Sequence, residues 1–296
     1  MTKISFLIFN FGHKRLRNLW YTMSVVNDIR NNNNYSEDEF EFILIEHGED
    51  KFSEEYAKET GFIYKFYNDP LLTSHRSTLR NKAVEEATGD FVILHDNDII
   101  PDPTFFDDIQ AVVNKYKGIK YFSNFKDVIN LNERITDVLI EDMQINKTFQ
   151  YGYVNGTDPK VTQNFSGLQT RPHGFFTFTE ATGGSFTVEK KTYLKSPFDE
   201  SYKQWGAEDN AFKLFMIKEI GWEKFAMLDK VLLHSFHTTI DYTPQTGLIR
   251  IHSESLNKNR DKLYNSINDI SKTLNTISYE LKEKDSLFIA HKKEEA

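Results

Sequence analysis

Three short stretches carry side chains whose types and spacing could do chemistry. The first is His95-Asp96-Asn97-Asp98, directly after the apolar run at 91–94. Carboxylates at i and i+2 on a turn can converge on one hard cation. Mg²⁺ or Mn²⁺ held by few protein oxygens completes its shell with phosphate oxygens, and as a Lewis acid it stabilises a departing diphosphate. A solvated surface turn would have the same composition, and it is the strand ahead of this one that favours the metal. An EF-hand is excluded, because its glycine and its later glutamate are missing.

The second stretch is Trp205-Gly206-Ala207-Glu208-Asp209, which leads into a helical pattern at 211–217. Acids in a first helical turn suit the helix dipole whatever their function. They also suit a general base, since a sugar hydroxyl is a poor nucleophile until a carboxylate accepts its proton. Trp205 offers a ring for stacking on an acceptor sugar, and Gly206 permits close backbone approach. The third stretch is Leu232-Leu233-His234-Ser235-Phe236-His237. A histidine at the end of an apolar strand is more often a hydrogen-bonded core residue than a ligand, so metal binding is the sharper reading of the two.

The elements that must position these residues read as an α/β fold. Apolar runs at 4–9, 40–45 and 91–94, with a weaker one at 62–66, lack clean alternation, as strands covered on both faces do. Helical patterns at 14–30, 53–60 and 77–87 lie between them, so the order is β-α-β-α-β-α-β and the sheet is parallel with helices on both faces. Ligands of such sheets bind beyond the carboxyl ends of the strands, which is where the Asp-x-Asp turn falls. A further helix is expected at 105–117. Residues 146–182 hold four glycines and many aromatics with little periodicity, the signature of a lid or binding loop, and regular structure resumes over 183–218.

The rest of the sequence narrows the class. Among 296 residues 39% are hydrophobic and 27% charged, ordinary for a globular protein. The net charge of −8 and the lack of a basic stripe argue against a nucleic-acid surface. There are no cysteines, so disulfides and thiolate metal sites are excluded. No apolar run is long enough to span a membrane, which leaves a soluble or peripheral protein. In the tail, Leu263, Ile267, Ile270, Leu274, Ile277 and Leu281 form a heptad seam. It implies a helical extension over 241–296, packed on its own domain or on a second copy of the chain.

Taken in order, the motifs resemble the β-1,4-galactosyltransferase group and the related bacterial chondroitin-polymerase-like and polypeptide GalNAc-transferase-like enzymes, over residues 4–237. Arg76-Ser-Thr-Leu-Arg-Asn-Lys-Ala-Val-Glu-Glu-Ala87 precedes Leu94-His-Asp-Asn-Asp-Ile-Ile-Pro101, as RAKLLNVGFQEA precedes FSDVDLIP there. Gly183-Gly184-Ser-Phe-Thr-Val-Glu-Lys-Lys-Thr-Tyr193 and Trp205-Gly-Ala-Glu-Asp-Asn210 are similar to GGVSALSKQQF and WGGEDDD. Leu232-Leu233-His234-Ser235 is similar to the metal-binding IRHS.

The resemblance implies a GT-A catalytic domain over 1–240, with a donor half at 1–101 and an acceptor half at 102–240. It implies Mn²⁺ or Mg²⁺ on Asp98 and His234, with His237 as the alternative ligand and Asp96 on the ribose or a metal-bound water. Asp209 would be the base and Glu208 would bind the acceptor. Phe9, Asn10 and Glu46 would lie on the uridine side, Arg76 near the nucleotide, and Gly183 and Gly184 against the donor sugar. There are departures. IPFRNR is replaced by Ile8-Phe9-Asn10-Phe11-Gly12-His13, the metal-binding methionine by Val231, and the third acid after WGGE by Asn210.

The expected activity is inverting transfer of a hexosyl group from a UDP-sugar to a glycan or glycolipid hydroxyl, in the bacterial cytoplasm or at the inner face of the membrane. A metal-dependent nucleotidyltransferase would want a basic phosphate loop, of which Gly12-His13-Lys14-Arg15 is a faint version. A non-catalytic carbohydrate-binding protein would have lost the Glu208-Asp209 pair.

Overall fold

The computed structural model describes residues 2–12, 15–68, 76–146, 170–172, 183–202, 206–237, 258–263, 265, 279–284 and 287–292. The first half is the expected alternation: β1 (Ile4–Phe11), α1 (Leu16–Asn33), β2 (Phe40–His47), α2 (Glu54–Thr60), β3 (Ile63–Tyr67), α3 (Arg76–Glu86) and β4 (Phe91–His95). β1 runs parallel to both β2 and β4, and β2 is parallel to β3. The chain continues through β5 (Ile99–Ile100), α4 (Phe105–Lys115), β6 (Tyr121–Ser123), β7 (Asp127–Asn130), α5 (Glu133–Asn146) and β8 (Thr170–Pro172). Then come β9 (Ser185–Glu189), α6 (Lys190–Tyr193), α7 (Glu208–Ile220), β10 (Phe225–Leu228) and β11 (Val231–His234).

The absence of alternation in the strands has a direct cause: the central sheet has a core on each face. Ile4, Phe6 and Ile8 of β1 point to one side, among Leu19 and Tyr21 of α1 and Phe105 and Phe106 of α4. Leu7 and Phe9 point to the other, among Leu79 and Ala83 of α3 and Phe212 and Met216 of α7. Each fully buried Phe is worth about 1.5–3 kcal/mol relative to exposure, and most aromatic side chains of the described residues lie in the core. α1 ends on Asn34, whose φ of 55° is the left-handed stop that asparagine tolerates.

The nine-stranded sheet has the order β12-β13-β10-β6-β9-β4-β1-β2-β3, where β12 is Tyr279–Lys284 and β13 is Leu287–Lys292. It is mainly parallel, with β9 inserted antiparallel between β4 and β6. A second sheet, β5-β11-β7-β8, crosses the carboxyl end of the first.

The tail corrects the expected helical extension. A helix is present at 258–263, and Leu263 is buried against Tyr202, Ala211 and Leu214. Leu281, however, lies in β12 opposite Ala290, and β13 adds antiparallel to β10. The stretch Tyr-Glu-Leu-Lys-Glu-Lys carries a period of two as well as the last heptad position, and pairing with β13, itself added to the distant β10, decides between them. Ile267, Ile270, Leu274 and Ile277 lie outside the described residues. No described helix is long and apolar enough to cross a membrane.

Candidate active site

The Asp-x-Asp turn sits between the two sheets and is fastened at both ends. His95, the last residue of β4, is fully buried and bridges Ser185 Oγ through Nδ1 and the Ile99 carbonyl through Nε2, each at 2.8 Å. Burial pushes its pKa down to about 4, so the imidazole is neutral and acts as a brace. The Asp96 amide donates to the Gly184 carbonyl at 2.7 Å, and the Ser235 amide to the Asp98 carbonyl at 2.8 Å. Thr22 of α1 donates to the Asn97 carbonyl at 3.1 Å.

The antiparallel pairing of β5 with β11 sets His234 opposite Ile99, one residue beyond Asp98. Asp98 is buried, with His237 Nε2 at 3.2 Å, His234 Nε2 at 3.6 Å and Arg15 Nη1 at 2.5 Å. One ligand atom from each of Asp98, His234 and His237 falls within 4.8 Å of the others, and Asp96 is not part of that group. His237 Nδ1 is buried with no hydrogen-bond partner. Burial works to raise the Asp98 pKa, but the two imidazoles and Arg15 outweigh it and hold the carboxyl well below the usual range. Carboxylate oxygen plus imidazole nitrogen is a donor set that suits Mn²⁺ and its neighbours in the first transition row, and the three residues fit such an ion.

Across the cleft, α3 supplies Arg80, a buried guanidinium that gathers three acids. Asp209 Oδ1 is 2.7 Å away, Asp96 Oδ1 3.2 Å and Glu208 Oε1 3.7 Å, and its other face lies over the Phe198 ring at 5.0 Å. Burial raises the Asp209 pKa, Arg80 opposes it, and Glu208 and Asp96 add to it; the carboxyl ends at about 7. That is where a general base for neutral pH should sit.

The backbone around Asp209 is shaped for it. A Cβ on Gly183 would lie 2.5 Å from Asp209 Oδ2, so only glycine leaves the carboxylate its place. Gly206 and Ala207, which lead into α7, have φ of 106° and 67°. This left-handed pair aims Glu208 back at the Gly206 amide, which donates to Oε2 at 2.8 Å.

The remaining expected site residues divide. Arg76 stands at the start of α3 with its guanidinium 5.9 Å from the Phe11 ring, at the carboxyl end of β1. Phe9 is buried in the core. Asn10 and Glu46 are fully buried and committed to each other: Glu46 accepts from Asn10 Nδ2 at 2.8 Å, from Ser53 Oγ at 2.8 Å and N at 3.0 Å, and from Tyr64 at 2.5 Å. They shape the strand ends from behind, and Phe11, half-buried, is the ring that meets the cleft. Trp205 and nearly all of the 146–182 loop lie outside the described residues, except β8, which pairs with β7. Sequence reasoning missed Arg80. The i, i+4 spacing with Arg76 on one helix was the available signal. Arg15 was noticed only as part of a weak phosphate loop.

No protein-family model and no curated protein sequence matches the chain. Solved structures do. Glucosyl-3-phosphoglycerate synthase from Mycobacterium tuberculosis, in a complex with Mn²⁺, UDP-glucose and phosphoglyceric acid, superposes with a TM-score of 0.51 at 14% identity, covering 87% of this chain and 79% of that one. The same enzyme with Mn²⁺, UDP and phosphoglyceric acid gives 0.51 at 14%, covering 99% and 87%. S. aureus TarS 1–349 gives 0.53 at 13%, covering 79% and 60%. At these identities the likeness concerns architecture: the chain has the GT-A fold, as the sequence motifs implied.

Proposed function

We propose that the protein is a divalent-metal-dependent glycosyltransferase that moves a hexosyl group from a UDP-sugar to an acceptor hydroxyl with inversion. The observation that carries this reading is that Arg80 ties Asp209 to the Asp-x-Asp turn, whose Asp98 lies with two imidazoles. Asp98 is held ionised among imidazoles, and Asp209 is poised to take a proton. The GT-A neighbours include complexes with Mn²⁺ and UDP-glucose, which agrees with it.

Asp98, His234 and His237 would hold Mn²⁺ or Mg²⁺, which when bound supplies Lewis-acid stabilisation of the departing diphosphate. Arg15, now on Asp98, is placed to turn its guanidinium to the phosphates. Phe11 and Arg76 flank the nucleoside end, with Asn10 and Glu46 bracing the strand ends behind it. Gly183 and Gly184 bring backbone to the sugar. Asp209 accepts the proton of the acceptor hydroxyl as oxygen attacks the anomeric carbon, and Glu208 and Trp205 contact the acceptor. Arg80 keeps Asp209 oriented and offsets its charge, while Asp96 turns toward the ribose side. The resemblance to the galactosyltransferase group favours UDP-linked Gal, GalNAc, Glc or GlcNAc, and a glycan or glycolipid acceptor met in the cytoplasm or at the inner membrane face.

Release of UDP from a panel of UDP-, GDP-, CMP- and dTDP-sugars, each with Mn²⁺ and with EDTA, tests the proposal. Metal-dependent release from one UDP-sugar, with an inverted anomeric signal in the product, is the expected result. Pyrophosphate release instead would move the protein to the nucleotidyltransferases. Binding indifferent to EDTA would rule out the metal site.

A further inference from the structure

The turn that carries Glu208 and Asp209 is held from outside the catalytic domain's regular framework. Gly206 and Ala207 both have positive φ, where an alanine is strained and stays only if neighbours over-determine it. Inside the turn, the Gly206 amide is taken by Glu208. The Gly206 carbonyl faces away from α7 and accepts from Asn259 Nδ2 at 3.0 Å.

Asn259 is buried at 6% exposure and lies on the 258–263 helix. That helix has anchors beyond the turn, although Ala207 of the turn packs on the same cluster. Leu263 packs on Tyr202, Ala211 and Leu214, and Lys262 pairs with Asp199 at 2.6 Å while lying 4.3 Å from the Tyr202 ring centre. Its position is therefore set by the body of α7 and the 199–202 segment, and from there one side-chain amide reaches the strained peptide ahead of the base.

We propose that Asn259 is a positioning residue for transfer: its amide clamps the Gly206 carbonyl and so fixes the direction in which Asp209 leaves the first turn of α7. The inference rests on Asp209 being the base. It assigns the segment after the catalytic domain a part in the reaction, acting through the turn and touching no substrate. A small rotation of the Gly206–Ala207 peptide would swing Asp209 against Gly183, where a carboxylate oxygen already fills the space of a missing Cβ. Misplacement of a reacting group by about 1 Å can cost about 10²-fold in rate.

The test uses the full chain, with UDP release from UDP-glucose in Mn²⁺ as the rate, UDP binding by calorimetry, and amide exchange of the 206–212 peptide. Asn259→Ala and the near-isosteric Asn259→Asp, which keeps the packing but loses the donor, are compared with Lys262→Met, which removes the ion pair with Asp199 and leaves the Leu263 packing and the amide in place. The expected result is a fall in kcat of about 10–100-fold in both Asn259 variants. KM for UDP-glucose and affinity for UDP should stay within about twofold, and exchange at 206–212 should be faster. Lys262→Met should retain kcat within about threefold.

Wild-type kcat in both Asn259 variants would overturn the clamp, as would an equal loss in Lys262→Met, which would mean general support of the fold. If UDP-glucose is not turned over, unchanged exchange at 206–212 in Asn259→Asp overturns it alone. Asp209→Asn run alongside separates the two ideas: full activity there removes the base, whereas an inactive Asp209→Asn beside an active Asn259→Ala removes only the clamp.

Discussion

Asp98 is buried and Asp209 half-buried, and burial works to raise the pKa of each. They end at opposite extremes because of their company. Asp98 has His234, His237 and Arg15 to itself, whereas Asp209 shares the single guanidinium of Arg80 with Glu208 and Asp96. The hydrogen bonds and charges facing each carboxylate, more than depth, therefore decide which stays ionised and which exchanges a proton. In the proposed reading, a metal ligand and a base are then made from the same residue type.

The contrast can be broken most severely at the base. Asp209→Asn should slow transfer by roughly 10²–10⁴-fold, the range for a lost acid–base group, with UDP affinity nearly unchanged. Asp98→Ala should show the converse. Mn²⁺-dependent UDP binding should weaken beyond the roughly 10–100-fold of an outer-shell change, read by calorimetry with and without EDTA.

Gly183→Ala sharpens the comparison without touching a charge, because the new methyl competes with Asp209 Oδ2 for one position. A loss of about 10²-fold in kcat is expected with UDP binding retained. The smallest effect is a shift in a profile. Since Asp209 accepts a proton only when ionised, kcat/KM should fall as pH drops through about 7. Arg80→Gln removes the stronger of the two cations that lower this pKa, Arg76 being the other, so the acidic limb should move to higher pH. A limb that stays in place would show that Arg80 does not set it.

Much of this arrangement was legible in the residues. The first four strands announce themselves as short apolar runs, and the Asp-x-Asp turn and the Glu208-Asp209 helix start fall where strand ends and helix dipoles place them. Arg80 was not legible, because Asp209 lies 129 residues away and only the folded packing of α3 on α7 brings it and Glu208 to the guanidinium that also meets Asp96. The same holds for the second sheet, whose strands β5 and β7 are two and four residues long and are defined by their partners. The tail misled for a related reason: Leu281 satisfies a heptad and an alternating pattern equally, and the choice belongs to β10. Glu46 looked like a ligand-facing acid at a strand end, but a hydrogen-bond network closes over it.

Among the described residues the nine-stranded sheet has two open margins, and they differ in character. At one, β12 reads Tyr-Glu-Leu-Lys-Glu-Lys, a sequence in which charge discourages a neighbour's strand from docking. At the other, β3 reads Ile-Tyr-Lys-Phe-Tyr, with Ile63 47% exposed and Lys65 drawn aside to Glu86. Self-association through backbone pairing should therefore begin along β3. A charge placed at Ile63 would improve the protein's behaviour in concentrated solution more than any change at the opposite margin.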